Sequence, residues 1–269
     1  MKDIIKKKTR LEILFLISFI VFLAPLVLIP ISYYFVFLAI LGFAGVMYFA
    51  NSFKFLSNEF KSGYVQAEIV KIIEDAKYEP QRGIPRNEVI HSSVLRKSDR
   101  YKSEDYLEGV VLNRKFRSCD LHLQDVRSTG KSATLITIFR GRFFEIEFAK
   151  KFEEDVFIYP KQMFKYSLTK GLTKCDVESI LFNKNFEVFS KDKTSAFYLL
   201  KPNFIDKILE FKKMYPKISF SFKDKRVYVA IDTRRDAFDL IMFKKVDNSF
   251  FKEINREIKL IKDIIELIN

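Results

Sequence analysis

The chain has no tryptophan, and only two cysteines and two histidines. Cys119 and Cys175 stand far apart without a framework spacing. That excludes a secreted disulfide scaffold and suits a reducing compartment. Cys119-x-x-His122 brings two soft ligands near one another in sequence, but alternate residues of a strand point to opposite faces. The pair diverges there, and no metal site is expected. Glycine is sparse as well: eight residues, with neither a dinucleotide-binding fingerprint nor a nucleophile elbow among them. Ser128-Thr129-Gly130-Lys131-Ser132 ends like a phosphate-binding loop. That pattern needs a glycine where Asp125 stands, so the segment reads as a strand-joining turn. Carboxylates are plentiful at Glu145, Glu147, Glu153, Glu154 and Asp155. Acid–base work requires burial to separate their pKa values. With Lys150 and Lys151 adjacent, a solvated, charge-balanced surface is the expectation. The sequence therefore nominates no catalytic residue, no metal ligand and no cofactor.

What the chain does have is an uneven distribution of apolar residues. Leu11 to Pro30 reads LEILFLISFIVFLAPLVLIP, and Ser32 to Ala50 reads SYYFVFLAILGFAGVMYFA. Each approaches the ~20 residues that cross about 30 Å of hydrocarbon as a helix. Fifteen residues of the first run are Leu, Ile, Val or Phe. At roughly 0.4 kcal/mol each, these favour insertion by about 6 kcal/mol. Glu12 is the one ionisable side chain in either run, close enough to Arg10 to reach the interface. Pro25 predicts a kink inside the first span. Gly42 and Gly45, with Ala39, lie near one face of the second and are candidate helix-interface residues.

The flanks of the two runs carry Lys6, Lys7, Lys8 and Arg10 on one side and Lys54 and Lys61 on the other, with no Lys or Arg between. The positive-inside rule then places both ends in the cytoplasm, and these six are candidate membrane-surface residues. A cleaved signal peptide fits less well, because the first run is long and a second follows at once. Residues 1–10 carry +4 and Glu12 −1, which leaves +10 of the formal +13 on residues 51–269. Pairs such as Arg114–Lys115, Lys150–Lys151, Lys212–Lys213, Arg234–Arg235 and Lys244–Lys245 are placed to gain ~1 kcal/mol per charge against anionic lipid. Nucleic acid is the other polyanion, but no binding module or stacking-aromatic signature supports it.

Beyond the hairpin, Val65, Ile69, Ile72 and Ile73 keep helical spacing, so a connecting helix is expected within residues 51–80. Ser92–Asp105 reads as loop. The period then changes to two, predicting strands around Gly109–Leu112, Arg117–Val126, Ala133–Phe139 and Arg142–Phe148. In the last, Phe144 and Ile146 share one face while Glu145 and Glu147 share a wet one. Cys175–Phe182 predicts a short helix, Phe186–Ser190 and Ala196–Leu200 predict strands, and Pro202 opens a helix over Asn203–Tyr215. Ile218–Phe222 and Val227–Ile231 flank Lys223-Asp224-Lys225 as a hairpin. From Ser249 onward, Phe251, Ile254, Ile258, Ile261, Ile265 and Ile268 mark a helix. Its seam serves either its own sheet or a partner subunit, so Ile254, Ile258, Ile261 and Ile265 are candidate interface residues.

Six ordered segments stand out: Asp105-Tyr-Leu-Glu-Gly109, Ile138-Phe-Arg-Gly-Arg-Phe-Phe144, Asn185-Phe-Glu-Val-Phe-Ser190, Ser195-Ala-Phe-Tyr-Leu-Leu-Lys-Pro202, Phe204–Leu209 and ISFSFKDKRVYVAI at Ile218–Ile231. Together they resemble the bacterial family called domain of unknown function 3137. The likeness runs from about Glu68 to Asp247. It implies a bacterial protein with a pair of membrane helices ahead of its domain, and it carries no catalytic set. The shared positions Gly141, Phe186, Phe189, Ala196, Tyr198 and Pro202 read as core and turn residues.

The expected architecture is α+β. A basic cytoplasmic N-terminus (1–10) and a transmembrane hairpin (11–50, spans 11–30 and 32–50) precede a connecting helix (51–80). A cytoplasmic domain (81–269) follows, with a mostly antiparallel sheet, packed helices and a C-terminal amphipathic helix. The expected role is a binding or scaffolding module at the bacterial inner membrane, with the bilayer as one partner and a protein partner or second copy as another. The alternatives are an enzyme with an unrecognised site on the sheet face and a subunit of a larger membrane complex.

Overall fold

The computed structural model describes residues 2–128, 130, 132–148, 151–161, 163 and 167–268. The chain forms two compact units, Met1–Glu68 with Phe238–Asn255, and Ile69–Ala237 with Arg256–Asn269.

In the first unit, α1 (Lys2–Leu28) and α2 (Tyr34–Phe60) pair along their length. Both are long and apolar enough to cross a membrane, and only 11 % of the most apolar window of each is buried. A core helix would hide that surface; here Ile20, Val27, Phe37 and Leu41 point outward. The architecture is consistent with membrane association. The two backbones meet where side chains are smallest. A Cβ on Gly42 would lie 2.3 Å from the backbone nitrogen of Phe22, and one on Gly45 would lie 2.6 Å from Ser18 Oγ. From α2 the chain continues through a π-helical turn (Lys61–Val65) into α3 (Gln66–Val70).

The second unit is built on a nine-stranded antiparallel sheet with order β1-β2-β3-β4-β9-β8-β5-β7-β6. Its strands are β1 (Glu74–Glu79), β2 (Arg100–Val111), β3 (Arg114–Ser128), β4 (Ala133–Glu147), β5 (Val156–Pro160), β6 (Thr173–Cys175), β7 (Phe186–Ser190), β8 (Ile218–Lys223) and β9 (Arg226–Asp232). The fold is α+β, as the alternation of periods 2 and 3.6 along the chain requires. Strands β2, β3 and β4 form a long meander, with bulges between Glu104 and Leu107 and between Leu123 and Gln124. Ser128 pairs with Ala133, so the phosphate-loop lookalike joins two hairpin strands. Its Thr129 and Lys131 lie outside the described residues, as does Lys150. Asp224, at φ 54°, and Lys225 close the β8–β9 hairpin.

One sheet face carries Cys119, Leu121, Leu123, Phe139, Phe143, Tyr228 and Ala230. It packs against Ile84, Val89, Val94 and Leu95, on and around α4 (Arg86–His91). Helix α7 (Pro202–Met214) starts at its proline and buries Ile205, Ile208 and Phe211, one per turn. Helix α8 (Asn248–Ile268) buries Ile254, Ile258, Ile261 and Ile265. Short helices α5 (Ile180–Asn185) and α6 (Lys193–Leu199) flank β7.

Four local expectations are corrected. Glu74–Glu79 is an edge strand, so helical geometry ends at Val70 although the apolar spacing runs on to Ile73. The segment read as loop before Asp105 already belongs to β2 from Arg100. Ala196–Leu199, predicted as strand together with Leu200, belongs to α6, because Asp192 caps that helix by accepting from the backbone N–H of Thr194 (3.2 Å) and Ser195 (2.9 Å). Finally, the predicted wet face of β4 is covered at Glu145, which is 5 % exposed.

Candidate functional site

In the second unit a cleft of about 510 Å³ opens on the sheet face that carries Leu123 and Phe139. Those two residues are cross-strand partners on β3 and β4. Its floor is apolar, made by Leu95, Leu123, Ile138, Phe139, Pro160 and Met163. Leu95, Leu123 and Phe139 are also members of the hydrophobic core, so the cleft is an indentation of that core. The bulge after Leu123 ends the β3–β4 pairing register there and re-aims the neighbouring strand residues.

The rim is cationic. Arg96, Lys212, Lys217 and Arg234 all line the cleft, against one carboxylate, Asp232. Arg96 Nη2 lies 2.6 Å from Asp125 Oδ2. Arg234 donates from Nη1 to the Thr137 carbonyl at 3.2 Å, and its Nε stands 3.1 Å from Asp232 Oδ2. Lys217 Nζ is 4.0 Å from the same oxygen. Lys212 donates to Asn185 Oδ1 at 2.6 Å and lies 5.1 Å above the Phe186 ring. Partial desolvation holds its ammonium below the ordinary lysine range. Four cations facing Asp232 and Asp125 leave the cleft net positive. Arg234 also has φ 60°, an uncommon conformation for a side chain of this size, and it is pinned by a 2.8 Å bond from its N–H to the Arg140 carbonyl.

Two other polar assemblies occupy the sheet. On the cleft's face, Glu108, Arg117, Glu145 and Tyr228 stand in register across four strands. Arg117 reaches Glu88 at 2.7 Å and Glu145 at 2.5 Å, and Arg226 lies 3.2 Å from Glu145. This row is close to self-neutral, which leaves less unbalanced charge for a ligand than the cleft offers. On the other face, Arg142 Nε is 2.8 Å from Asp120 Oδ1, and Asp120 Oδ2 accepts from the Ala237 N–H at 2.8 Å. Nearby, Tyr78 donates to Asp105 Oδ1 at 2.5 Å. Burial raises the Asp120 carboxyl above its ordinary range while Arg142 pulls it down. Burial likewise raises the Tyr78 phenol.

The residues singled out from sequence fall as follows. Lys6, Lys7, Arg10 and Lys54 are exposed in the first unit, with Lys7 Nζ 3.0 Å from Glu59. Lys8 is buried and paired with Glu12. Lys61 is also buried, 2.6 Å from Asp239. Gly42 and Gly45 lie between α1 and α2. Cys119 is enclosed in the core, where desolvation pushes its thiol up to about 12. His122 bonds Thr137 Oγ1 at 3.0 Å instead of meeting it. Burial, with help from Arg140, lowers the His122 pKa. Of the basic pairs, Lys212 and Arg234 converge on the cleft. Sequence reasoning misses Arg96 and Lys217: the first stands in a polar stretch read as loop, and the second is a lone basic residue between Pro216 and Ile218. Of the motif positions, Phe186 and Ala196 are buried while Tyr198 is exposed.

No curated protein matches the sequence. Among solved structures, the mycobacterial trehalose monomycolate transport factor A, TtfA, is similar at 7 % identity with a TM-score of 0.41. The match covers 76 % of this chain and 94 % of that one. So distant a likeness carries no functional argument. Residues 137–269 match the family model described as Protein of unknown function (DUF3137), the family that the motifs of this chain resemble.

Proposed function

We propose that this chain is a membrane-tethered binding module. In this reading α1 and α2 cross the bacterial inner membrane with both ends in the cytoplasm, and the sheet unit holds an anionic ligand that has an apolar portion. The cleft is the observation that carries it: an apolar floor and a four-cation rim in one concavity of about 510 Å³. An apolar pocket with a few convergent polar groups is the usual form of a small-molecule site. Here the charge of the rim selects an acid, and the core-derived floor selects hydrocarbon. Basic residues on the flanks of the spans support placement against anionic lipid.

The test is photolabelling of the full chain in lipid vesicles with a diazirine-bearing long-chain carboxylate and with the matching alcohol. Label from the carboxylate is expected on peptides containing Leu95, Ile138 and Met163, and it should fall to the alcohol's level in a Lys212→Glu, Arg234→Glu variant. Equal labelling by acid and alcohol, or labelling indifferent to the two substitutions, removes the proposal.

A further inference from the structure

We infer that the protein meets the lipid interface a third time, through Ile241 and Phe243 on the segment that leads into α8. This segment belongs to the same compact unit as the helical hairpin. It is tied to the end of α2 by three contacts: Lys61 Nζ lies 2.6 Å from Asp239 Oδ1, Ser57 Oγ donates to the same oxygen at 3.3 Å, and the Leu240 N–H donates to Ser57 Oγ at 3.1 Å. It is tied to α1 by the Phe243 N–H, which donates to Glu12 Oε1 at 2.7 Å. The Phe243 ring also stands edge-on to Phe15 with centroids 6.2 Å apart.

Those partners set its level. Glu12 and Phe15 lie inside the first apolar run, and at 1.5 Å per residue Phe15 is about 6 Å along the helix from Leu11. Phe243 shares that level. The segment also sorts its side chains as an interfacial element does. Phe238 and Leu240 are buried, whereas Ile241 and Phe243 are 49 % and 53 % exposed, beside the outward apolar surface of α1. Lys244 and Lys245 follow immediately and are exposed; Lys244 Nζ lies 3.0 Å from Glu253, and Lys245 is placed to carry its charge to the headgroups. Glu12, the one acid in the spans, is met by Lys8 and by the Phe243 N–H. The segment thereby satisfies a carboxylate at the point where burial in lipid would be costly. Continuity with the apolar surface of the hairpin names lipid as the occupant: water would face two large apolar side chains, while acyl chains extend from α1 onto them without a break.

This inference rests on the reading that α1 and α2 cross the bilayer, and one experiment separates the two. Because the chain has no tryptophan, single-tryptophan variants report depth without background. Phe43→Trp, in the second apolar run, is the reference, and Phe243→Trp and Ile241→Trp are the tests. Each is measured as the full chain in vesicles of phosphatidylcholine and phosphatidylglycerol brominated either near the headgroup or near the chain end. The expected result is short-wavelength emission from all three. Headgroup-proximal bromine should quench the Phe243→Trp and Ile241→Trp variants most, and chain-end bromine should quench the Phe43→Trp variant most. If the reference variant is quenched while both test variants emit as in water without quenching, the inference is overturned. If none of the three is quenched, the membrane-spanning reading falls and takes the inference with it.

Discussion

Arg142 and Asp120 face each other across β4 and β3, 2.8 Å apart, and both are almost wholly shielded from solvent. A pair this deep costs several kcal/mol of desolvation per ion, and its mutual attraction only roughly repays that. Removing one member is the costly change. Asp120→Ala takes the Asp120 carboxylate away from a buried guanidinium and the acceptor away from the Ala237 N–H. A loss of about 3–5 kcal/mol is expected. The double variant Asp120→Leu, Arg142→Met should lose much less, since both charges go and volume is retained. Denaturation of the solubilised full chain followed by circular dichroism checks both. Equal losses for the single and double variants would argue against the pair being a coupled unit.

Gly42 and Gly63 make opposite predictions for the same substitution. At Gly42 an added Cβ meets the backbone of Phe22 at 2.3 Å, so Gly42→Ala must push α1 and α2 apart. At Gly63 nothing lies within 4 Å, and the residue sits in a helical turn. Gly63→Ala should stabilise by about 0.5–1 kcal/mol through the usual loss of backbone freedom in the unfolded chain. Melting temperatures in a mild detergent should therefore move in opposite directions.

The thiols should be silent in the folded protein. Cys119 lies in the core with its pKa driven up to about 12 by desolvation, and burial also raises that of Cys175. Thiolate is the reactive species. Iodoacetamide at mildly alkaline pH should leave the native chain unmodified and add two groups once denaturant is present. Rapid labelling of the native protein would show that the core around Cys119 opens readily.

Much of this architecture is legible in the sequence, for identifiable reasons. The hairpin declares itself through two long apolar runs, the β8–β9 pair through two short apolar-rich runs around Lys223-Asp224-Lys225, and α7 through Pro202 and its stripe. Periodicity misleads where tertiary context takes over. The apolar spacing that runs to Ile73 extends beyond the helix, because the next residues pair with β2 as an edge strand. The apolar and aromatic run at 196–199 is helix because Asp192 supplies a cap that composition does not weigh. Glu145 resembles a surface residue in sequence, since its partners Arg117 and Arg226 lie on other strands. The cleft is illegible for the same reason. Arg96, Lys212, Lys217 and Arg234 come from distant parts of the chain, and only the antiparallel ordering of β3, β4, β9, β8 and β5 brings them to one rim.

In the proposed function the cleft holds an acidic molecule with an apolar body. Mass spectrometry of small molecules that co-purify with the full chain from its native membrane tests this most directly. Wild type is compared with Ile138→Trp, which fills the cleft from a half-buried position. An anionic amphiphile should be retained by the wild type and depleted in the variant, with the fold intact by circular dichroism. Identical extracts from the two proteins, or a wild-type chain that carries no such molecule, would contradict the account.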